Sequence, residues 1–264
     1  RRTGGKSRNL SKSPTFYSNN LKLIFDIGNT RTKIGLFSND DLKKTTVISG
    51  TPKKEQVMGF CKDVQIDSIA ISSVGLDIFD KIAAWFPKCS VLNIDPNTPL
   101  PIKTNYQSPS TLGIDRICGV VAGNKYFPES NVLVIDMGTC ITYDVINSNK
   151  THLGGGISPG YKMRLDAMHK FTSRLPQVEI EPTIPEIGTT TNHSLLFGAG
   201  QGIKAEIAGI ILYFSAKHPK LKVILTGGNH LMVEQGNENA IFAAPNLILE
   251  GIHDILLHNE KLND

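Results

Sequence analysis

Two short runs carry the chemistry that this sequence offers. Ile24-Phe25-Asp26-Ile27-Gly28-Asn29-Thr30 and Val134-Ile135-Asp136-Met137-Gly138-Thr139-Cys140 are each an apolar strand ending in an acid, with glycine two residues on. Glycine lets backbone N–H groups approach phosphate oxygens closely, and Asn29, Thr30 and Thr139 add side-chain donors. Asp26 and Asp136 would repel phosphate unless a cation stood between, so the pair implies bound metal. Mg²⁺ suits that place because it takes carboxylates, waters and phosphate oxygens together. Lys33 can neutralise phosphate charge. Thr226-Gly227-Gly228 closes a later strand and allows flat approach of a base or ribose. The chain has no GxxxxGK[ST] run and no HRD or DFG set, which sets aside P-loop and protein kinases.

The elements that must position these groups follow from periodicity. Leu21–Asp26 and Thr32–Phe37 read as a hairpin with an acid at its mouth, and 45–49, 68–72 and 91–94 as further strands. Ile78, Ile82, Trp85 and Phe86 mark an amphipathic helix. Residues 95–112 hold Pro96, Pro99, Pro101 and Pro109 and form a stiff irregular segment, a kind often functional. A helix over 113–126 carries Ile114, Ile117 and Val121 on one stripe. Asp115, Gly119 and Ala122 lie on a second, small-residue stripe that leaves room for a substrate. The pattern then restarts, with strands at 131–136 and 141–146 and a further strand before a glycine-rich loop at 154–160. A helix at 199–218, strands at 221–225 and near 241, and a helix around 248–257 complete it. The two Asp-x-Gly runs are 110 residues apart, about one domain, which predicts two similar α/β domains facing each other.

Composition bounds the rest. The 264 residues are 40% hydrophobic and 20% charged, enough for two domains. No apolar run approaches the ~18 residues of a membrane span. The net charge of +4 belongs to a tail: residues 1–20 hold five basic residues and no acid, and the remainder is nearly neutral. A basic tail can bind nucleic acid or a membrane surface, or be a gene-start remnant; residues 1–20 are therefore kept out of the fold. Cys61, Cys89, Cys118 and Cys140 form no CxxC pair and read as reduced thiols of a cytoplasmic protein.

Six motifs in order resemble the type III pantothenate kinase family. They are Asp-Ile-Gly-Asn-Thr (26–30), Leu-Gly-Ile-Asp-Arg (112–116), Asp-Met-Gly-Thr (136–139), Gly-Gly-Ile-Ser-Pro-Gly (155–160), Thr-Ser-Arg-Leu-Pro (172–176) and Thr-Gly-Gly (226–228). The resemblance implies two tandem ribonuclease-H-like (actin-like ATPase) domains, here 21–128 and 129–264, with mixed sheets flanked by helices and a cleft between. It implies ATP-dependent phosphorylation of pantothenate, the first step of coenzyme A biosynthesis, with Mg²⁺ and a monovalent cation, K⁺ or NH₄⁺. A cytoplasmic homodimer is implied, with no nucleic-acid or membrane partner. Carried over by motif, Asp26, Ile27, Gly28, Asn29, Thr30, Arg31, Thr32, Lys33 and Thr139 line ATP, Asp26 with Mg²⁺ through water. Asp115 is the general base. Tyr106, Gly113, Ile114, Asp115, Arg116 and Thr191 surround the substrate, Arg116 suiting its carboxylate. Asp136 holds the monovalent cation. Ile117, Thr190 and Asn229 stand where the family more often has an aromatic, Asn and Asp. Two other readings keep the same fold: an actin-like kinase of a sugar or acetate, and a nucleotide-sensing accessory factor for transcription.

Overall fold

A computed structural model describes residues 20–73, 78–228 and 241–263. The tail, apart from Asn20, and Asn229 lie outside the described residues. The first sheet is built from β1 (Leu21–Ile27), β2 (Arg31–Ser38), β3 (Asp41–Ser49), β4 (Ser68–Ser73) and β5 (Ser90–Asn93), in the order β3-β2-β1-β4-β5. β1–β2 and β2–β3 are antiparallel, whereas β1–β4 and β4–β5 are parallel. Helices α1 (Lys54–Phe60) and α2 (Phe79–Trp85) cover its outer face.

The second sheet repeats this plan. It contains β6 (Lys103–Thr104), β7 (Val132–Met137), β8 (Cys140–Ile146), β9 (Thr151–Pro159), β10 (Lys222–Thr226) and β11 (Ile241–Ala243). Their order is β11-β10-β7-β8-β9-β6, again with an antiparallel meander, β7-β8-β9, and parallel strands, β10 and β11, beyond β7; here β6 adds a further parallel strand at the β9 edge. Helices α4 (Tyr161–Lys170) and α5 (Thr191–Lys217) cover its outer face. The Thr190 hydroxyl caps α5 by accepting from the His193 N–H at 3.2 Å. By length and composition α5 could cross a membrane; here Ile203, Ile207 and Ile211 are buried against β7, β8 and β10.

Alternation along the strands makes the layers. Leu23, Phe25 and Ile27 point outward from β1 into the α1–α2 layer, and Ile24 points inward. On β7, Leu133 and Ile135 face α4 and α5, and Val132 and Val134 face inward. The middle layer is filled by α3 (Ile114–Tyr126) and α6 (Leu247–Asn263), which pack on each other and on both sheets. Gly251 of α6 lies against Cys118 of α3 so closely that a β-carbon would fall 1.9 Å from the Cys118 carbonyl oxygen.

The first sheet takes its strands from residues 21–93 and the second from residues 103–243, and other elements tie the two parts together. α6, from the far end of the chain, packs on β1, β2 and β4, and β6 joins the second sheet beside β9. Lys22 of β1 is buried and bonded through Nζ to Glu260 of α6 at 2.6 Å and to Ser68 of β4 at 3.2 Å.

Three local expectations are corrected. The glycine-rich run 154–159 is strand, because Gly155 lets β9 approach β8: a β-carbon there would lie 1.5 Å from the Tyr143 carbonyl oxygen. The small-residue stripe on α3 is packing surface rather than open space. A β-carbon on Gly119 would already touch Val134 and Ile248 at 3.4 Å, and Ala122 is buried. Finally, α5 begins at Thr191, eight residues before the expected start.

Candidate active site

The two Asp-x-Gly runs end the central strands of the two sheets. Asp26 is the sixth residue of β1, and Gly28 N–H donates to the Arg31 carbonyl at 3.0 Å to turn the chain into β2. Asp136 has the matching place on β7, where Gly138 N–H donates to the Cys140 carbonyl at 3.0 Å. Each acid also has a hydroxyl residue beside it on the adjacent parallel strand, Ser72 for Asp26 and Thr226 for Asp136. The acids therefore sit at the carboxyl ends of the strands, where open α/β sheets place ligands.

Asp115 arrives from the middle layer, in the first turn of α3, after Gly113 as N-cap. Its Oδ1 accepts the Arg116 backbone N–H at 2.8 Å. Burial raises the Asp26 carboxyl to about 7, with Asp136 and then Asp115 adding to it. Asp136 rises to about 6 by burial and by Asp115. Asp115 is raised chiefly by burial, against the backbone bond from Arg116. Three acids from β1, α3 and β7 thus share one field, in which Asp136 and Asp115 make Asp26 harder to ionise and Asp115 does the same to Asp136.

Lys33 and Arg31 oppose that field. Lys33 is the cross-strand partner of Asp26, and its Nζ bonds the Pro245 carbonyl just ahead of α6. Burial lowers its pKa, with Asp26 pulling the other way. The exposed Arg31 guanidinium lies over Gly228, where a β-carbon would meet Nη1 at 3.2 Å. Gly227, at φ +89°, brings the end of β10 against Asp136. Gly160 sits under the second turn, where a β-carbon would lie 2.5 Å from the Thr139 carbonyl oxygen.

Among the described residues no three His, Cys, Asp or Glu side chains stand close enough to hold a bare metal ion. The field is instead that of a site whose cation completes its shell with waters and phosphate oxygens, which fits Mg²⁺.

The remaining expected residues divide. Gly28, Asn29, Thr30 and Arg31 lie at the mouth, and Thr139 is exposed on the facing turn. Ile27 is buried in the outer layer, and buried Thr32 spends its hydroxyl on the Gly50 carbonyl at 2.8 Å. These two can meet a ligand only through the backbone. Arg116 and Tyr106 come together, the guanidinium lying 5.5 Å from the ring centroid. Gly113 and Ile114 flank them at the start of α3. Thr191 is exposed at the start of α5, and among the described residues no hydrogen bond ties it to Tyr106, Asp115 or Arg116. Sequence reasoning missed Asp144, which takes Arg116 Nε at 2.9 Å and Nη2 at 2.8 Å in a buried pair. The signal was an acid inside the apolar β8 strand.

Comparison with known proteins adds the family. The family model of type III pantothenate kinase matches residues 22–212. A type III pantothenate kinase from Bacteroides fragilis is 38% identical over 241 residues, covering 90% of this chain and 98% of its own length. One from Christiangramia forsetii is 38% identical over 242 residues, covering 91% and 99%. Among solved structures, a Baf family transcriptional activator from Campylobacter jejuni aligns with TM-score 0.57 at 23% identity, covering 90% of this chain and 99% of that one. A ROK family glucokinase from Streptomyces griseus aligns at 0.51 and 12%, covering 89% and 99%. The solved structures establish an actin-like α/β fold of two mixed sheets flanked by helices. With the family model spanning most of the chain and relatives above 30% identity along nearly its whole length, the chain belongs to the type III pantothenate kinase family.

Proposed function

We propose that the protein transfers the γ-phosphoryl group of ATP to the primary hydroxyl of pantothenate, giving 4′-phosphopantothenate and ADP, the entry to coenzyme A. The observation that carries this is the convergence of Asp26, Asp115 and Asp136 from three elements, with Lys33 and Arg31 as counter-charges. Phosphoryl transfer asks mainly for positioning and charge neutralisation, with an acid to orient the attacking hydroxyl.

In this reading the 26–33 hairpin and the 138–139 turn receive the phosphates, through backbone N–H groups and through Asn29, Thr30, Arg31, Lys33 and Thr139. A hydrated Mg²⁺ beside Asp26, and K⁺ or NH₄⁺ at Asp136, would supply the charge that lets phosphates lie among carboxylates. Asp115 accepts the hydroxyl proton as the oxygen attacks in line, and ADP leaves. Arg116 and Tyr106 hold the substrate's carboxylate end. Thr191 enters from the resemblance alone. Retention of all three acids favours catalysis over a nucleotide-sensing role.

We further assign a cytoplasmic homodimer, without nucleic-acid or membrane partners. Phe171 at the end of α4 and Leu212 on α5 have 78% and 71% of their surface exposed, apolar area that a second copy would cover. Sedimentation gives the oligomeric state. The activity is tested by pantothenate-dependent ADP release with and without K⁺. Turnover that requires both supports the reading, and tight ATP binding without turnover overturns it.

A further inference from the structure

Behind Arg116 runs a buried chain of polar groups that none of the expected site residues predicted. His152 of β9 is fully buried; its Nε2 meets Asp144 Oδ1 at 2.8 Å and its Nδ1 meets Thr104 Oγ1 at 3.2 Å. Thr104 Oγ1 also accepts the Tyr106 backbone N–H at 3.1 Å. One assignment of protons satisfies every link. Tyr106 N–H donates to Thr104, the Thr104 hydroxyl donates to His152 Nδ1, and His152 Nε2–H donates to Asp144. Asp144 then accepts from Arg116 through both oxygens. The His152 ring also stacks on Tyr106, at 6.2 Å between centroids and 10° between planes.

The consequence for Arg116 is geometric. Asp144 occupies its side-on edge, Nε and Nη2. The end-on edge runs between Nη1 and Nη2; Arg116 also hydrogen-bonds the Tyr106 side chain, so the N–H groups left on that edge and the Tyr106 hydroxyl proton are the donors offered to a second carboxylate. A guanidinium held this way cannot rotate without breaking two charge-assisted bonds inside the protein. Tyr106 is fixed by the same chain through both its backbone and its ring.

We propose that Asp144 and His152 are positioning residues for substrate selection. They hold Arg116 and Tyr106 as a rigid end-on receptor for the carboxylate of the acceptor substrate. β6 exists in this sheet to complete that receptor: Thr104 pairs with His152 in the β6–β9 register, which pins the Pro-rich segment to the second sheet. The proposal rests on the phosphoryl-transfer reading above and names the part of the site that chooses the acceptor.

The test compares pantothenate with its alcohol analogue, in which CH₂OH replaces the carboxylate, as acceptors for wild type, His152→Phe, His152→Gln and Asp144→Asn. The KM for ATP and thermal melting are followed in parallel. Wild type should prefer the acid. His152→Phe should raise the KM for pantothenate by about tenfold to a hundredfold, leave the KM for ATP unchanged, and erase most of the preference for the acid. His152→Gln keeps a donor toward Asp144 and should recover part of it. Asp144→Asn should act like His152→Phe, and if it fails to fold, the two His152 variants still decide. Unchanged acid preference in a folded His152→Phe overturns the proposal, as does a parallel loss for ATP and both acceptors. Wild-type enzyme that phosphorylates neither acceptor would instead overturn the activity itself.

Discussion

Gly227 stands so close to Asp136 that a β-carbon on it would lie 2.4 Å from the carboxylate Oδ1 and 2.6 Å from the Met137 backbone. Its φ of +89° is in the region that L-residues avoid. The end of β10 is therefore folded onto the second acid by a residue that can carry no side chain. Gly227→Ala should cost about 1–2 kcal/mol from backbone strain alone, and the clash moves Asp136 as well. We expect a lower melting temperature and at least about a tenfold rise in the KM for ATP, measured by calorimetry and steady-state kinetics.

The raised carboxyls predict an unusual pH dependence. Asp26 ionises near pH 4 when unfolded and near 7 when folded, so the folded state holds its proton more tightly. This contribution to stability is present below pH 4 and is lost as pH rises to 7. Asp136 acts in the same direction up to about 6. The free protein should become less stable between pH 4 and 7, and Mg·ATP should reverse that loss while releasing protons. Asp26→Asn should be more stable than wild type at pH 8 and lose at least about a hundredfold in turnover. Calorimetry in buffers of different ionisation enthalpy reads the proton release directly.

Asp115→Asn separates chemistry from folding. The carboxylate Oδ1 accepts one backbone bond, from Arg116 N–H, and an asparagine oxygen accepts it equally. Because burial also raises the Asp115 carboxyl, the expected result is a melting temperature equal to or above that of wild type at neutral pH, with kcat lower by about 10²–10⁴. A variant that keeps near-normal kcat would remove Asp115 as the base.

Lys22 is 2% exposed and relies on Glu260 and Ser68. Removing Glu260 strands a buried ammonium. Glu260 is itself a third exposed, so Glu260→Ala should cost about 2 kcal/mol, below the range for a fully buried pair. Replacing both partners, as Lys22→Met with Glu260→Leu, should recover most of the loss. Urea unfolding of wild type and these two variants checks this.

How much of this was legible beforehand follows from range. The Asp-x-Gly strand ends, the repeat between Asp26 and Asp136, and the helix carrying Asp115 depend on patterns within a few residues, and each was readable. The pairing of Asp144 with Arg116 depends on where a strand lies relative to a helix that precedes it by 14 residues, and no periodicity carries that. His152 gave no signal because its hydrogen-bond partners come from β6 and β8. The glycines of β9 read as a loop because glycine marks both turns and close strand approach; the Tyr143 carbonyl decides between them. The partnership of α6 with the first sheet joins the two ends of the chain and lay beyond any local signal.

That partnership has a consequence for synthesis. A ribosome delivers β1 to β5 long before α6, and until α6 emerges the inner face of the first sheet has neither its last helix nor the acid that neutralises Lys22. The nascent chain therefore cannot settle its first half independently and then add the second, as chains with self-contained domains do. Completion is all-or-none and late. A translation arrest before residue 245 leaves an exposed apolar sheet for chaperones to hold, with Lys33 still lacking its anchor at Pro245.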